Sequence, residues 1–478
     1  MSIRNLEPKG VWNNFADLNA VPRPSKKEER VIAFAKSFGE NLGLNTYVDS
    51  VGNVIIKKPA SAGMEGRKTV ILQSHLDMVC QKNSDTEFDF DTQGIEMLIE
   101  NDWVTANGTT LGADNGMGVA AIMTLLESTD LAHPPLEALF TIDEETGMTG
   151  AFGLEQGILD GTILLNLDTE DDDEYSIGCA GGVDTNTSYQ YETEDVVGKA
   201  FKITIKGLRG GHSGVDIQLE RGNANKIMNR LMWNCEDFGL RIATVDGGSL
   251  RNAIPRESFA TIVVTDDAYL SEFENRKAEI LAELAISDEN TQIDIEPTTL
   301  PSKVVSEVDT FRITNTIKAV FNGVFKISLS IDNLVETSSS LARVIIKEGS
   351  FTTQSLQRSS VDSAKIEVST TVGSVFELMG CDVEYDGSYP GWEPNPDSEI
   401  LTLMKDKYNS LFGEGLKVTS IHAGLECGLL GKRYPGLDMI SFGPTIKNPH
   451  SPDEKVNIAS VQKFWTLLLD VLKDTPKV

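Results

Sequence analysis

Four apolar runs along the chain end in charged or metal-capable residues, and this shared pattern is the first guide to the fold. A continuous apolar run predicts a strand that is buried on both faces, as in a parallel sheet. Segments with helical spacing lie between or after these runs. The runs are TVILQSHLDMV, ALFTIDEETG, TILLNLDTED and LDMISFGPTIKNPH, and the helical segments are GVAAIMTLLES, GAFGLEQGIL and IASVQKFWTLLLDVLKD. The pattern predicts an α/β domain with a mostly parallel sheet and helices on both faces.

The segment before the first run predicts a helix and a hairpin. KKEERVIAFAKSFGENLG has helical spacing and a glycine stop, and LNTYVDSVGNVIIKK is typical of two strands around Gly52. In open α/β sheets the ligand lies beyond the carboxyl ends of the strands. The polar ends of the four runs are therefore the expected place for a functional site.

The middle of the chain predicts a second domain inserted in the first. KAFKITIKGLRGGHSGVDI and SLRNAIPRESFATIVVT alternate like half-exposed strands, and ERGNANKIMNRLMWNCEDFG between them predicts a helix. A similar set follows, in which FRITNTIKAVFNGVFKIS looks helical and AKIEVSTTVGS fits either a strand or an amphipathic segment. We predict a discontinuous first domain at 1–185 and 394–478. The inserted α+β domain at 186–393 has two halves that suggest a diverged duplication.

Length and charge narrow the classes of function. A chain of 478 residues exceeds the roughly 250–300 residues that one hydrophobic core serves. Its 72 acidic and 42 basic residues give a formal charge of -30, which argues against nucleic-acid and anionic-membrane partners. The five cysteines are scattered without a CxxC pair, and neither a secretory signal nor a run of ~18 apolar residues is present. We therefore expect a cytoplasmic protein.

The five histidines include candidates for metal binding. His75 and Asp77 are two residues apart at the end of an apolar run, so on a strand both side chains point the same way. This spacing suits a metal-bound imidazole with a carboxylate behind it. Taken alone, it fits an ordinary surface histidine better. His133, in LAHPPLEALF, is best interpreted as structural.

Three further residues each have an ordinary alternative. Asp114, in GADNG, is placed to cap the helix that follows, although its glycine neighbours also allow a ligand to approach the backbone closely. Asp168, in NLDTE, by itself fits a turn before a solvated acidic run. His450 lies in a loop that two prolines make rigid, where a merely polar role fits equally well.

The adjacent glutamates Glu144 and Glu145, in FTIDEETGMTG, would repel each other without a counter-charge. If the chain turns after the apolar run, their side chains diverge and each can take a different role. Together with the histidines and aspartates at strand ends they form a coherent set. Two divalent ions ~3.5–4 Å apart that share one bridging carboxylate need about this inventory. Oxygen and nitrogen donors without thiolate fit Zn, Mn or Co.

Seven motifs in this order resemble the metallopeptidases of the M20 family, and within it the Xaa-His dipeptidases, nearly from end to end. They are SHLDMV, GADNG, DEETGMTGA, NLDTE, RGGHSGVDI, HAGLECGLL and GPTIKNPHSPDEKV. The resemblance implies two divalent ions, Zn before Mn or Co. Asp114 would bridge them, His75 and Asp168 would complete one ion, and Glu145 and His450 the other. Asp77 would orient His75, Glu144 would be the general base, and the peptide bond between Asp114 and Asn115 would be cis.

The same resemblance implies residues outside the metal site. His212 would stabilise the oxyanion, from the partner subunit in dimeric relatives, and Asn252, Arg358 and Gly424 would contact the substrate. Arg358 suits the carboxylate of a dipeptide, because guanidinium and carboxylate pair in a two-pronged geometry. His422 and Glu426 receive no role.

The resemblance further implies that 1–185 and 394–478 form the catalytic domain and that 186–393 form a lid over it. A homodimer through the lid is expected, although a lid of about 200 residues is twice the usual size and can imitate a dimer within one chain.

The resemblance leaves three functions open. The first is hydrolysis of dipeptides with a free N-terminus, Xaa-His dipeptides such as carnosine among them. The second keeps the site but changes the substrate, as in a broad-specificity peptidase or an aminoacylase. The third, a non-catalytic relative that binds metal or peptide, is disfavoured because every ligand and the base are in place.

Overall fold

The computed structural model describes residues 2–478, and the chain folds into two compact units. The first unit comprises the chain up to Gly178, then Pro394–Ser420 and Leu425–Val478. The second unit comprises Cys179–Glu393 and the short segment Ile421–Gly424. Within the described residues, no helix has the length and apolar character needed to cross a membrane.

Helices and strands are numbered along the whole chain. The helices are α1 (Lys9–Asn19), α2 (Glu29–Asn41), α3 (Ala113–Glu127), α4 (Thr149–Gly153), α5 (Ala224–Met232), α6 (Ala268–Glu283), α7 (Glu307–Ala319), α8 (Asp362–Met379), α9 (Glu399–Phe412), α10 (Glu426–Arg433) and α11 (Ile458–Lys473). Short 3-10 helices lie at Ile3–Asn5, Ile217–Leu219 and Glu236–Phe238.

The strands of the amino-terminal part are β1 (Asn45–Val48), β2 (Val54–Lys58), β3 (Val70–His75), β4 (Met97–Glu100), β5 (Trp103–Ala106), β6 (Leu136–Thr141), β7 (Ile163–Asn166) and β8 (Glu174–Cys179). Those of the middle part are β9 (Gly181–Gln190), β10 (Thr193–Asp195), β11 (Lys199–Lys206), β12 (Gly211–His212), β13 (Arg241–Gly247), β14 (Ala253–Ile254), β15 (Ser258–Val264), β16 (Gln292–Pro297), β17 (Lys303–Val305), β18 (Gly323–Ile327), β19 (Val335–Lys347), β20 (Ser350–Ser359) and β21 (Asp382–Tyr389). The last are β22 (Lys417–Ile421), β23 (Asp438–Ser441), β24 (Ile446–Lys447) and β25 (Lys455–Asn457).

The first unit is built on an eight-stranded sheet in the order β1-β2-β6-β3-β7-β23-β8-β22. Its four central strands, β6, β3, β7 and β23, are mutually parallel, and they are the four apolar runs of the sequence. Every residue of β3, β6 and β7 is buried, as expected for strands covered on both faces. The polar ends of the four runs therefore meet at one edge of the sheet, and the predicted α/β class is confirmed.

Local predictions in this unit hold with one exception. β1 and β2 form the expected antiparallel hairpin, and Gly52 between them has φ +113°, a conformation that favours glycine. Helix α11 covers the predicted segment and is capped by Asn457, whose side chain accepts a hydrogen bond from Ser460 N. The prediction that all of GAFGLEQGIL is helical is wrong, because α4 ends at Gly153.

The second unit is an antiparallel nine-stranded sheet with four helices, α5 to α8. Along the chain, β11-α5-β13-β15-α6-β16 forms one βαββαβ arrangement, with its strands in the spatial order fourth, first, third, second. β9-α7-β19-β20-α8-β21 forms another with the same order reversed. The two arrangements join through antiparallel pairing of their second strands, β13 and β19. One apolar core, including Ile262, Phe273, Leu341 and Phe376, runs beneath both.

Candidate active site

The adjacent glutamates lie in a turn just beyond β6. The strand ends at Thr141, and Asp143 takes a left-handed conformation with φ +53°. The backbone N–H groups of Glu144 and Glu145 donate to the two carboxylate oxygens of Asp77, over 3.1 and 3.3 Å. Asp77 therefore holds the turn that separates the two glutamates, a contact that the sequence did not indicate.

Asp114 lies between the two histidines. Its Oδ1 is 3.2 Å from His75 Nε2, and its Oδ2 is 3.2 Å from His450 Nε2. His75 Nε2 also lies 3.5 Å from Asp168 Oδ1, and His450 Nε2 lies 3.0 Å from Glu145 Oε2. The two sides of the Asp114 carboxylate thus face two different sets of candidate ligands. The peptide bond after Asp114 is cis, as predicted.

This cluster fits two metal ions by its donor chemistry. Its members combine imidazole nitrogen with carboxylate oxygen, the donors that Zn, Mn and Co accept in proteins. Glu145 Oε1 is buried without a hydrogen-bond partner in the described structure, so one ligand atom is left over for a cation. The ligand atoms lie within 4.8 Å of one another in three groups: His75, Asp114 and Asp168; Asp114, Glu145 and His450; and His75, Glu144 and Glu145.

The pKa values of the cluster are shifted by burial and by the charges of neighbouring groups. Burial opposes the charged form of His75, but the Asp114 and Asp168 carboxylates outweigh it and raise the pKa of His75 well above its usual value. The Asp114 and Glu145 carboxylates raise the pKa of His450 to about 11. Burial raises the pKa of the remaining carboxyls, Glu144, Glu145 and Asp168.

Asp77 lies behind His75, as its spacing suggested. Its Oδ1 is 3.4 Å from His75 Nδ1, and its carbonyl oxygen is 3.2 Å from the same nitrogen. Ser25 Oγ donates to Asp77 Oδ2 over 2.7 Å. Both Asp77 and His75 are buried, so the ring orientation is fixed from the side opposite to Asp114 and Asp168.

A buried polar network crosses the ends of the four parallel strands. Gln73 Nε2 donates to Glu426 Oε2 over 2.6 Å, and Thr141 Oγ1 donates to the same oxygen over 2.7 Å. Asn166 Nδ2 donates to Gln73 Oε1 over 2.5 Å, and Ser441 Oγ donates to Asn166 Oδ1. Burial raises the pKa of Glu426 to about 8. The network binds together the strand ends from which the candidate ligands emerge.

Two buried charges, Arg23 and Glu454, contact the loop that carries Asp114, and no periodic signal in the sequence pointed to either. Arg23 stands between two prolines, and Glu454 follows His450 by four residues in the last motif. The only signal in the sequence for either residue was the presence of a charged side chain in a motif rich in Pro and Gly.

A second cluster lies within the second unit around Arg358, which is 4% exposed. Its Nη2 is 3.3 Å from His212 Nε2, and its Nη1 donates to Tyr389 OH over 2.8 Å. Arg358 Nε is buried without a partner in the described structure. His422, also buried, lies beside the cluster with its Nε2 2.8 Å from Ser338 Oγ. The structure thus brings together two residues, His212 and Arg358, that are 146 positions apart.

His212 is held as a neutral imidazole. The backbone N–H groups of Gly214 and Val215 donate to its Nδ1 over 3.2 and 3.0 Å, which leaves the ring proton to Nε2. Burial, and then the charge of Arg358, lower the pKa of His212 to about 4. A neutral ring with a proton on Nε2 is a hydrogen-bond donor on the side that Arg358 also faces.

The other two predicted substrate contacts belong to the second unit as well. Asn252 precedes β14, which pairs with β12, and its carbonyl accepts a hydrogen bond from Ser213 N over 2.9 Å. The Asn252 side chain is exposed. Gly424 belongs to the short segment 421–424, where Ala180 N donates to the carbonyl of Ala423 over 3.0 Å. Asn252 therefore lies next to Ala253, which pairs with His212, and Gly424 follows His422 by two residues.

Comparison with known proteins decides the family. The model of peptidase family M20/M25/M40 matches residues 71–474. The chain belongs to this family. The cytosol non-specific dipeptidase of Escherichia coli K12 is 43% identical over 483 aligned positions, covering 99% of both chains. The solved structure of aminoacylhistidine dipeptidase from Vibrio alginolyticus has a TM-score of 0.95 and 42% identity, and the match covers 100% of this chain and 99% of that one.

A more distant solved structure shares the fold alone. Aminopeptidase PepT from Bacillus cereus has a TM-score of 0.57 at 15% identity, with 98% of this chain and 99% of that chain covered. The resemblance that the motifs carried is therefore confirmed at the level of the family, and the protein is an M20 peptidase.

Proposed function

We propose that this M20 enzyme is a dipeptidase that hydrolyses the peptide bond of dipeptides with a free N-terminus, Xaa-His dipeptides such as carnosine among them. The observation that carries the proposal is the pair of ligand groups that share Asp114. The names of its relatives, a non-specific dipeptidase and an aminoacylhistidine dipeptidase, support the substrate class. The first of these names also favours a broader dipeptide range as the second candidate.

The site would hold two divalent ions, Zn before Mn or Co. His75 and Asp168 would hold one ion, Glu145 and His450 the other, and Asp114 both. When bound, such ions polarise the scissile carbonyl and make a water molecule more acidic. They would also neutralise the excess of carboxylates, which is the physical reason for the cluster to exist.

The side chains supply the remaining steps. Glu144 lies in the ligand group with His75 and Glu145 but outside both groups that contain Asp114, so its carboxylate is available to take a proton from the attacking water. It would then pass this proton to the leaving amine. Asp77 would keep His75 in one orientation through its carboxylate and carbonyl.

The cluster of the second unit would bind the substrate. Arg358 is a buried cation whose Nε lacks a partner, which suits the terminal carboxylate of a dipeptide. His212 would donate from Nε2 to the developing oxyanion. Asn252 and Gly424 would complete the substrate contacts. In this proposal 1–185 and 394–478 form the catalytic domain, and 186–393 form an inserted lid with a duplicated α+β unit.

Cytoplasmic location and a homodimer through the lid are parts of the same proposal. The E. coli relative is named a cytosolic enzyme. Exposed apolar side chains in and after β18, Phe325, Ile327 and Leu329, offer a contact surface for a second copy. Sedimentation of the metal-loaded protein tests the assembly, and a monomer at all concentrations would contradict the dimer.

A substrate panel tests the function itself. The protein is loaded separately with Zn, Mn and Co and assayed with Ala-His, carnosine, dipeptides without histidine, a tripeptide and N-acetyl amino acids. We expect cleavage of dipeptides and little cleavage of N-acetyl amino acids, which lack a free N-terminus. Absence of dipeptide cleavage with every metal would refute the proposal, and preferred cleavage of N-acetyl amino acids would replace it with an aminoacylase.

A further inference from the structure

Glu454 fills a concave array of backbone N–H groups. Its side chain is 2% exposed, and its two oxygens accept hydrogen bonds from four consecutive residues. Oε2 accepts from Leu111 N over 2.7 Å and from Gly112 N over 2.9 Å. Oε1 accepts from Ala113 N over 2.7 Å and from Asp114 N over 3.2 Å. Such a run of N–H groups is an anion-binding arrangement, and here the protein's own carboxylate occupies it.

Arg23 holds the opposite side of the same loop. Its Nη2 donates to the carbonyl of Gly112 over 2.6 Å, and its Nη1 donates to the carbonyls of Leu76 and Asp77 over 3.1 Å each. Gly112 has φ +71°, and a Cβ there would lie 2.4 Å from Arg23 Nη2, so only glycine fits. The loop before Asp114 is thus fixed on its N–H side by Glu454 and on its carbonyl side by Arg23.

Buried carboxylates also bind backbone N–H groups elsewhere in this unit. Glu137, near the amino end of β6, is 2% exposed and accepts from Asp160 N and Gly161 N, with Lys57 Nζ 2.7 Å away. No predicted ligand lies in either segment that Glu137 joins. Glu454 differs because it follows His450 by four residues and binds the loop of Asp114.

We propose that Glu454 is a positioning residue for the metal site: it sets the position of Asp114 relative to His450. Its two anchor points explain the role. The carboxylate fixes the backbone N–H of Asp114 itself, while Glu454 N donates to Ser451 O over 2.9 Å and so ties the same residue to the His450 loop. The 3.2 Å approach of Asp114 Oδ2 to His450 Nε2 is the consequence. The role in metal binding rests on the proposed function, whereas the four hydrogen bonds do not.

Glu454→Gln is the test variant, and Glu137→Gln is its matched control. Glutamine keeps the volume but offers one acceptor oxygen, and its amide N–H groups face two backbone donors. Hydrogen exchange of the metal-free proteins is followed in the peptide that contains residues 111–114. We expect at least tenfold faster exchange there in Glu454→Gln and no change there in Glu137→Gln. Unchanged exchange at 111–114 would overturn the proposal at once.

Metal binding separates positioning from a purely structural role. Zn affinity is measured by competition with a chelator, and the Co-loaded proteins are compared by their visible absorption spectra. We expect a roughly 10- to 100-fold weaker affinity and an altered Co spectrum for Glu454→Gln only, which is the usual cost of losing a residue that supports metal ligands. Faster exchange with unchanged Zn affinity and an unchanged Co spectrum would show that Glu454 only stabilises the loop. That result would refute its role in positioning Asp114 for metal binding.

A second variant covers the case in which Glu454→Gln does not fold. Glu454→Asp keeps the charge but is one methylene shorter, so we expect faster exchange at residues 111–114 and weaker Zn affinity than in the wild-type protein. Wild-type exchange and wild-type affinity in Glu454→Asp would then overturn the proposal. If the wild-type protein binds metal but cleaves no dipeptide, the proposed function fails while the positioning role stands.

Discussion

The two clusters of this protein have opposite electrostatic problems. In the first unit, four carboxylates and two imidazoles share one cluster, and burial raises the pKa of Glu144, Glu145 and Asp168. In the second unit a buried guanidinium, Arg358, lies beside two histidines, and in the described part of the chain it is paired with no carboxylate. Burial and Arg358 lower the pKa of His212 to about 4 and of His422 to about 3.

The contrast indicates what each cluster binds. The first has more negative charge than its own residues can balance, which calls for cations. The second has a buried positive charge without a carboxylate partner in the described part of the chain, which calls for an anion. In the proposed function, two divalent ions and the carboxylate of a dipeptide would supply these charges. Each of the following experiments perturbs one of the two clusters and leaves the other unchanged.

Removal of metal should have the largest effect, and it should be confined to the first unit. A chelator is expected to abolish activity and to lower the free energy of unfolding by about 3 kcal/mol, the stabilisation that a ligand gives at ~100 times its Kd. Hydrogen exchange should become faster around residues 111–114 and 143–145, and stay unchanged around Arg358. Equal loosening of both clusters would contradict the division of charges.

Replacement of Glu144 by alanine should be the next largest effect. Loss of a general base is expected to lower kcat by about 10²- to 10⁴-fold. Metal content, measured by elemental analysis, should stay near that of the parent, because Glu144 lies outside the two ligand groups that share Asp114. Glu145→Ala is the matched comparison and should lose metal. Loss of metal from Glu144→Ala instead would reverse the two roles.

Substitution of Arg358 by lysine should affect only substrates that end in a carboxylate. A charge-assisted hydrogen bond contributes about 1.5–3 kcal/mol, so we expect a roughly 10- to 100-fold higher KM for dipeptides. The corresponding dipeptide amides should show little change. Arg343→Lys, in β19 of the same strand pair, is the control and should leave both substrates unaffected. An equal loss for dipeptides and their amides would exclude Arg358 as the carboxylate contact.

Replacement of His422 should have the smallest effect at neutral pH, because its protonation changes stability only in acid. The pKa of His422 is about 3 in the folded protein and ~6.5 when unfolded, so the unfolded chain takes up the proton first. Folded His422 therefore costs stability as pH falls from about 6.5 toward 3 and has no such effect above that window. In His422→Gln the decline between about pH 7 and pH 4, measured by urea unfolding, should be shallower by at most about 1.4 kcal/mol per pH unit. Parallel declines would show that His422 does not titrate this way.

The sequence alone determined the central sheet and the kinds of ligand at its edge. Four apolar runs with polar ends became the four parallel strands, because residues buried on both faces must be continuously apolar. The parallel arrangement then brings their carboxyl ends together. His75, Asp114, Glu144, Glu145, Asp168 and His450 were all chosen from motifs, and the structure places them in one cluster.

Tertiary structure decided what local pattern leaves ambiguous. AKIEVSTTVGS is rich in β-branched residues, yet it lies in α8, because Val368, Val372 and Phe376 recur every four residues and are buried together. The intrinsic preference of β-branched residues for strands is weak, and burial of one helical face overrides it.

Contacts between residues far apart in sequence were also beyond the reach of the pattern. Glu454 binds the N–H group of Asp114 from 340 positions away, and Arg358 meets His212 across 146. A lone charged residue in a loop carries no periodic signal, and only the folded chain determines which backbone groups it meets. The sequence therefore specified the candidate ligands and the sheet that presents them, while the folded chain determined which buried charges contact the loop of Asp114.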